Sequence, residues 1–221
     1  MSARAVSMGN ARGRLCDRGD DVYETPAVAV AALLSVEPLP AHIWEPCCGS
    51  GRIVEVLRAH GHCVTASDLV GDRIDFLMER RAPEGVEALV TNPPYKLAAD
   101  FVRHGLALVP MAAMLLRLNF LESAARSDLI DSGRLARVHV FADRLPRMHR
   151  QGWEGPRAGT SNTAYAWFIW LREYAGPIVL DRITAGELTR GRSDVALIAG
   201  GLERGDATRA QARRVWREGA P

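Results

Sequence analysis

Lysine is almost absent from this chain of 221 residues, in which Lys96 is the one lysine among 28 basic residues. The base composition of a genome can produce such a bias, so the arginine content alone indicates no partner. The formal net charge is only +2. The field of the whole chain is too weak to dominate binding to a nucleic acid, and a basic binding surface would have to come from local clusters.

Cysteine is also scarce, and long hydrophobic runs are missing. The four cysteines, Cys16, Cys47, Cys48 and Cys63, have neither the paired spacing of a zinc site nor the density of a disulfide scaffold. We expect reduced thiols and no bound metal. No apolar stretch reaches membrane-spanning length, and the first 20 residues lack the apolar core of a signal peptide. These absences predict a cytoplasmic protein without membrane contact.

The length of the chain fits one globular domain with a substantial core. Residues 1–20 are rich in Arg, Gly, Ser and Asp without apolar periodicity, which predicts a mobile N-terminal arm. Residues 21–202 are expected to form the folded domain. Residues 203–221 are expected to form an arginine-rich tail, and such runs are more often solvated than bound to DNA.

Short apolar runs alternate with helical patterns through the first half of the chain. Thr25-Pro26 is typical of an N-cap followed by the first residue of a helix. Two later apolar runs have only a long segment between them, which predicts an antiparallel pair at one edge of the sheet. The order is that of an α/β fold with a mainly parallel sheet and helices on both faces. The predicted strands are 42–47, 63–67, 88–91, 111–118, 137–141 and 164–171, and the later predicted helices are 53–60, 74–81 and 97–109.

A glycine-containing turn follows the first predicted strand. Glu45 ends this strand, and Gly49 and Gly51 lie in the turn, where a missing β-carbon lets a ligand approach the backbone. Val54 stands where a dinucleotide fingerprint would have its third glycine, so the motif is not that fingerprint. Glu45 alone could equally be a solvated carboxylate at the end of a strand.

Asp68 ends the second predicted strand, where a carboxylate can accept hydrogen bonds from ribose hydroxyls. By itself it could equally cap the next helix. Together, Glu45, the glycine turn and Asp68 favour a cofactor site. An acidic site suits S-adenosylmethionine, which carries an ammonium and a sulfonium but no phosphate.

The third predicted strand runs into Asn92, Pro93, Pro94 and Tyr95 at the carboxyl edge of the sheet. Two prolines restrict the backbone and hold the preceding carbonyls in a rigid extended hook. The Asn92 side-chain oxygen and the Pro93 carbonyl can accept the two N–H groups of an acceptor NH2, directing its lone pair at a methyl donor. Tyr95 can stack on a base swung out of a duplex. A surface turn is the alternative.

These residues resemble the N6-adenine DNA methyltransferases of the Asn-Pro-Pro-Tyr type, and most closely their small phage and prophage members, with Rossmann-like class I methyltransferase folds. The resemblance covers residues 23–171. Unlike the family, the sequence shows no sizeable target-recognition domain after this core. It implies S-adenosylmethionine as cofactor, DNA as partner, and Asn92, Pro93, Pro94 and Tyr95 as catalytic residues. The cofactor contacts that it implies are Tyr23, Thr25, Pro26, Glu45, Pro46, Cys47, Gly49, Gly51, Asp68, Leu69, Asp75, Phe76 and Asn92.

A basic segment between the last two predicted strands is a second substrate candidate. It places arginines that can contact phosphates around one stacking aromatic, although an ordinary basic loop would have the same composition. The predicted substrate contacts are Tyr95, Lys96, Arg144, Arg147, Arg150 and Trp153.

Two other functions stay open on the sequence. The same hook can hold any planar NH2 group, so RNA or a glutamine amide of a protein is an alternative acceptor. A non-catalytic nucleic-acid-binding module is the alternative of another class, although binding alone needs none of Glu45, Asp68 and Asn92. The sequence does not predict the recognised DNA site or the oligomeric state.

Overall fold

The computed structural model describes residues 23–149 and 159–185. The predicted N-terminal arm and arginine-rich tail lie outside the described residues, as do Arg150 and Trp153. Among the described residues, no helix is both long and apolar enough to cross a membrane.

The described residues form one seven-stranded sheet in the order β2-β1-β3-β4-β6-β5-β7. Strands β2, β1, β3 and β4 are parallel, whereas β6 runs antiparallel to both β4 and β5. The prediction of a mainly parallel sheet with an antiparallel pair is confirmed. The strands are β1 (His42–Glu45), β2 (Cys63–Ala66), β3 (Ala88–Thr91), β4 (Met111–Arg117), β5 (Leu135–Phe141), β6 (Tyr165–Leu171) and β7 (Val179–Ile183).

Strand β7 was not predicted. It pairs in parallel with β5 outside the antiparallel pair, and every residue of it except Ile183 is exposed. A strand with both faces largely exposed has no alternation of apolar and polar side chains, which is the sequence signal for a half-buried strand.

Helices cover both faces of the sheet, as predicted. Helices α1 (Ala27–Val36) and α2 (Arg52–Ala59) pack on one face, and α3 (Ala98–Leu108) and α4 (Ser127–Ile130) pack on the other. Two tryptophans of β6 join these layers: the Trp167 indole N–H donates to Ala29 O, and that of Trp170 donates to Leu129 O. Buried indoles with satisfied N–H groups fix the helices on the sheet without an unpaired donor.

A buried ion network fixes the end of α1. The side chain of Glu37, which follows α1, is fully buried and accepts two hydrogen bonds from the Arg137 guanidinium of β5 at 2.7 and 2.6 Å. The His139 Nε2 lies 3.0 Å from Glu37 Oε2, the oxygen that also accepts the Arg137 Nε–H. The bidentate pairing with Arg137 satisfies a carboxylate that burial would otherwise destabilise, and it fixes the helix that begins just after Thr25, a residue in contact with Asn92.

The start of α1 differs from its prediction. Pro26, predicted as the first helical residue, occupies the N-cap position with extended backbone angles, and no side chain caps the helix. The Thr25 hydroxyl, predicted as the cap, accepts no backbone N–H from the first turn of the helix. It instead accepts a hydrogen bond from the Asn92 side chain.

The helix predicted over 74–81 is also wrong. Only Phe76–Met78 forms a short 3-10 turn, because the Asp75 carboxylate accepts the backbone N–H of Leu77 and Glu79 is already extended. Phe76 is buried in an aromatic cluster, with its ring centre 5.3 Å from that of Trp44 and 4.8 Å from that of Phe101. The apolar residues of this segment therefore anchor a loop instead of lining a helix.

Candidate active site

The carboxyl ends of three neighbouring strands carry the predicted cofactor and catalytic motifs. Strand β1 lies between β2 and β3, so Glu45, Asp68 and Asn92 emerge at adjacent positions along one edge. Open α/β sheets bind their ligands at this edge.

Glu45 is the last residue of β1 and is only 2% exposed. Its carboxyl accepts the backbone N–H of Val54 in the first turn of α2, whereas Oε2 has no partner. Burial raises the pKa of Glu45 well above its ordinary value, and the nearby Asp68 charge raises it further. A buried carboxylate oxygen without a partner is costly unless a ligand cation satisfies it.

The glycine turn and Asp68 are joined directly. Asp68 Oδ2 accepts the backbone N–H of Gly49 at 2.8 Å, and Oδ1 accepts that of Val70 at 2.8 Å. Asp68 thus holds the turn after β1 against the loop after β2. Each carboxylate oxygen keeps a second lone pair for a ligand hydroxyl.

The two glycines of the turn have positive φ, +50° at Gly49 and +79° at Gly51. Gly51 immediately precedes α2, and a β-carbon built on it would meet no atom within 4 Å. The turn therefore needs glycine for its backbone conformation, and it leaves open space at the N-terminal end of a helix, where backbone N–H groups are free to bind a ligand.

Cys47 connects this turn to the end of β3 and the start of the Asn92-Pro93-Pro94-Tyr95 motif. Its thiol hydrogen-bonds with the Thr91 hydroxyl at 2.8 Å and donates to Asn92 O at 3.6 Å. Burial raises the pKa of the Cys47 thiol well above its ordinary value, as do the carboxylates of Glu45 and Asp68. The protonated thiol is therefore a packing and hydrogen-bonding group here and a poor nucleophile.

The Asn92 side chain is held at one end and unpartnered at the other. Its Nδ2 donates to Thr25 Oγ1 at 3.1 Å and lies 3.9 Å from Met148 Sδ. Its Oδ1 is buried without a hydrogen-bond partner. The amide therefore presents an unused acceptor, which is the group that the catalytic hypothesis requires.

Tyr95 begins a short 3-10 turn before α3 and is surrounded on several sides. Its hydroxyl lies 3.8 Å from Met148 Sδ, and its ring centre is 6.1 Å from that of Tyr165. The Arg117 guanidinium lies over the ring, 4.6 Å from its centre. Burial is the main cause that raises the pKa of Tyr95, and its contact with Tyr165 adds to this. Tyr95 is therefore a neutral phenol with one ring face covered by a cation.

Several other predicted site residues are not joined to this centre by a contact. Asp75 caps the 3-10 turn, and Phe76 is buried among aromatic side chains. Arg144 donates to Asn162 O, and Arg147 uses its backbone N–H to bond Gly159 O. Tyr23 and Pro46 are partly or fully buried beside the site, and Leu69 and Lys96 are exposed near it.

Sequence analysis missed three residues at this centre, namely Met148, Arg117 and Tyr165. Met148 lies in an irregular segment, held to the start of the domain by the hydrogen bond from Glu24 N to His149 O. Arg117 and Tyr165 are paired opposite each other on β4 and β6. The sequence offered one signal for them. Arg117 ends β4 and Tyr165 begins the antiparallel strand β6, so both lie at the carboxyl edge of the parallel strands.

The donor set fits S-adenosylmethionine. An unpartnered buried carboxylate oxygen suits an ammonium, a second carboxylate suits ribose hydroxyls, and the glycine turn leaves space between them. No cluster of three or more His, Cys, Asp or Glu side chains able to hold a metal occurs in the described part of the chain.

No protein-family model and no curated protein sequence matches this chain. Several solved structures are similar to it. A type I restriction-modification system methyltransferase subunit from Streptococcus thermophilus aligns with a TM-score of 0.51 and 12% identity over 92% of this chain, which spans 59% of that protein. A predicted O-methyltransferase from Agrobacterium tumefaciens aligns with a TM-score of 0.50 and 14% identity, covering 80% of this chain and 97% of the other. The chain has the Rossmann-like fold of these methyltransferases.

Proposed function

We propose that this protein transfers the methyl group of S-adenosylmethionine to the N6 amino group of adenine in DNA. The observation that carries the proposal is the buried Asn92 Oδ1, which has no partner although the Nδ2 of the same amide is held. An acceptor oxygen of this kind, at the ligand-binding edge of a methyltransferase fold, is suited to receive an N–H of a substrate.

The cofactor supplies an electrophilic methyl group on a positively charged sulfur. Glu45 Oε2 pairs with the ammonium end, Asp68 accepts from ribose hydroxyls, and the Gly49–Gly51 turn provides the space between them. The thiol contact of Cys47 with Asn92 O keeps the cofactor turn and the catalytic loop at a fixed separation. These groups position the donor, and positioning of this kind lowers the entropic part of the barrier.

The amino group that accepts the methyl group is held on the side opposite the cofactor. Asn92 Oδ1 and the Pro93 carbonyl accept its two N–H groups, so that the nitrogen lone pair faces the methyl group. The bound cofactor would supply the methyl group, and its sulfur would keep the S–C bonding pair as the new N–C bond forms. The product nitrogen then loses one proton to solvent, so no strong base is required. Electrostatic alignment is the main contribution of the protein.

Adenine is favoured over a smaller amide by the aromatic side chains of the pocket. Tyr95 lies beside Asn92 and next to Tyr165, and base stacking on an aromatic ring contributes about 1–3 kcal/mol per base. A glutamine amide has no ring to stack. The S. thermophilus protein that shares this fold is described as the methyltransferase subunit of a type I restriction-modification system.

The test is to incubate the pure protein with methyl-labelled cofactor and, separately, mixed-sequence duplex DNA, RNA and denatured protein, and to digest each acceptor. Labelled N6-methyladenine from DNA is expected. Label in RNA or in glutamine at higher yield would overturn the DNA assignment, and no label in any acceptor would overturn the enzymatic proposal. Asn92→Ala is the inactive control, and Asn119→Ala, at an exposed asparagine after β4, is its matched partner.

A further inference from the structure

The orientation of the Asn92 amide decides whether the site can work, and this inference rests on the proposed function. A side-chain amide has an acceptor oxygen at one end and a donor NH2 at the other, with nearly the same shape. A half-turn exchanges them at little steric cost. With the NH2 facing the acceptor, two donors would oppose each other and the substrate amine would not be held.

Thr25 is the first group that fixes this orientation. It is 5% exposed, and its Oγ1 lies 3.1 Å from Asn92 Nδ2. The sequence predicts Thr25 as the N-cap of α1, but Pro26 occupies that position and no side chain caps the helix. The Thr25 hydroxyl is therefore not engaged in capping the helix, and its contact is with the Asn92 amide.

Thr25 alone does not select one orientation, because a hydroxyl can donate as well as accept. Met148 removes this ambiguity. Its thioether lies 3.9 Å from Asn92 Nδ2 and 3.8 Å from the Tyr95 hydroxyl, and sulfur without a hydrogen can only accept. The reversed amide would place Oδ1 against the sulfur, with two acceptors facing each other.

We propose that Thr25 and Met148 are positioning residues that hold the Asn92 amide with its oxygen, and not its NH2, toward the acceptor. Thr25 supplies the stronger contact, and Met148 makes the reversed orientation unfavourable. The resemblance to known methyltransferases implies a cofactor contact for Thr25, whereas the role proposed here acts through Asn92.

Kinetic and binding measurements distinguish a residue that positions Asn92 from a residue that contacts the cofactor. Thr25→Val keeps the shape and removes the hydroxyl, and Met148→Leu keeps the volume and removes the sulfur acceptor. Each variant is expected to lower kcat about two- to tenfold, as for the loss of one hydrogen bond, without change in the Kd of the cofactor measured by calorimetry. Thr25→Ser should restore kcat, and Thr65→Val, at an exposed threonine of β2, should have no effect. Weaker cofactor binding with an unchanged kcat in Thr25→Val would overturn the proposal.

A readout in the cofactor-free protein is independent of activity. The chain contains four asparagines and two glutamines, so its side-chain NH2 signals in a 15N correlation spectrum are few, and the Asn92 pair can be assigned by its loss in Asn92→Asp. This pair should move toward the position of a free amide in Thr25→Val, more so with Met148→Leu added, and should not move in Thr65→Val. If the Asn92 NH2 signals do not move in Thr25→Val, the positioning inference is overturned and the proposed function is unaffected. If the wild type transfers no methyl group, the proposed function is overturned and the contact between Thr25 and Asn92 is unaffected.

Discussion

The guanidinium of Arg117 lies over the ring of Tyr95, 4.6 Å from its centre. Arg117 ends β4 directly opposite Tyr165 on β6, and side chains directly opposite in an antiparallel pair lie on the same face of the sheet. The cation therefore shares a sheet face with Tyr165 and covers one side of the ring proposed to contact the acceptor base. It is exposed to solvent, so it is also available to a phosphate.

Replacing Arg117 should weaken DNA binding without changing the cofactor site. Arg117→Ala is expected to raise the KM for DNA, and to lower the slope of log K against log salt by roughly one, because one cation fewer displaces counterions. The matched control is Arg58→Ala, since Arg58 bonds Val64 O at the opposite edge of the sheet. An unchanged salt slope in Arg117→Ala, or an equal change in Arg58→Ala, would contradict this assignment.

Glu45 should reduce the stability of the protein at neutral pH. Its pKa is raised in the folded state, so its contribution to stability is fully present below the ordinary pKa of glutamate and is lost as pH rises through the raised pKa. Glu45→Gln should remove this loss and raise the free energy of unfolding at pH 7, by about 1–3 kcal/mol, the range for one unpaired buried group.

The measurement is denaturant unfolding of the wild type and Glu45→Gln from pH 4 to pH 8. The two stability curves should lie closest at the acidic end and separate as pH rises. Parallel curves over this range would show that Glu45 titrates normally, and Glu55→Gln, at an exposed glutamate of α2, controls for the loss of one charge.

The same carboxyl should make cofactor binding pH-dependent. An ammonium binds the ionised form of Glu45, and the raised pKa means that part of the population must release a proton first. The affinity for S-adenosylmethionine should rise with pH through the pKa of Glu45, and Glu45→Gln should weaken binding and abolish this dependence. Calorimetry in two buffers of different ionisation enthalpy measures the proton release, and identical heats in both would contradict it.

Asp68 should combine a structural and a ligand-binding role. Its two oxygens accept the N–H groups of Gly49 and Val70, so Asp68→Ala should loosen the glycine turn as well as weaken cofactor binding. The loss of two charge-assisted hydrogen bonds predicts a fall in stability of about 1.5–3 kcal/mol or more. Unfolding and cofactor titration of Asp68→Ala and of the control Asp131→Ala, at an exposed aspartate directly after α4, test both effects. A variant with normal stability and weakened binding would restrict Asp68 to ligand contact.

The strands and the carboxyl edge of the sheet could be predicted because each strand has a local pattern of apolar residues. Four apolar runs separated by helical patterns lead to the parallel part of the sheet, and the glycine turn and Asn92-Pro93-Pro94 stand at strand ends. The helix over 74–81 could not be excluded from sequence, since its apolar spacing matches a helix and only tertiary contacts of Phe76 with Trp44 and Phe101 show that it anchors a loop.

The candidate site was predictable only for residues within motifs. Met148 is distant in sequence from Asn92 and has no pattern that marks it, because its contact with Asn92 depends on where an irregular segment passes the loop after β3. Thr25 had a clear local signal, that of a helix cap, and the structure uses its hydroxyl elsewhere. Residues whose structure departs from the local sequence preference often lie at functional sites.

The central claim is that Asn92 contributes an acceptor oxygen to methyl transfer. It is tested most directly by single-turnover transfer of a labelled methyl group to adenine N6 in a short duplex, comparing the wild type with Asn92→Ala at saturating cofactor and DNA. The rate of transfer should fall by about 10²–10³, as for loss of one group that stabilises a transition state, while the Kd of the cofactor stays the same. An unchanged single-turnover rate in Asn92→Ala would contradict the account.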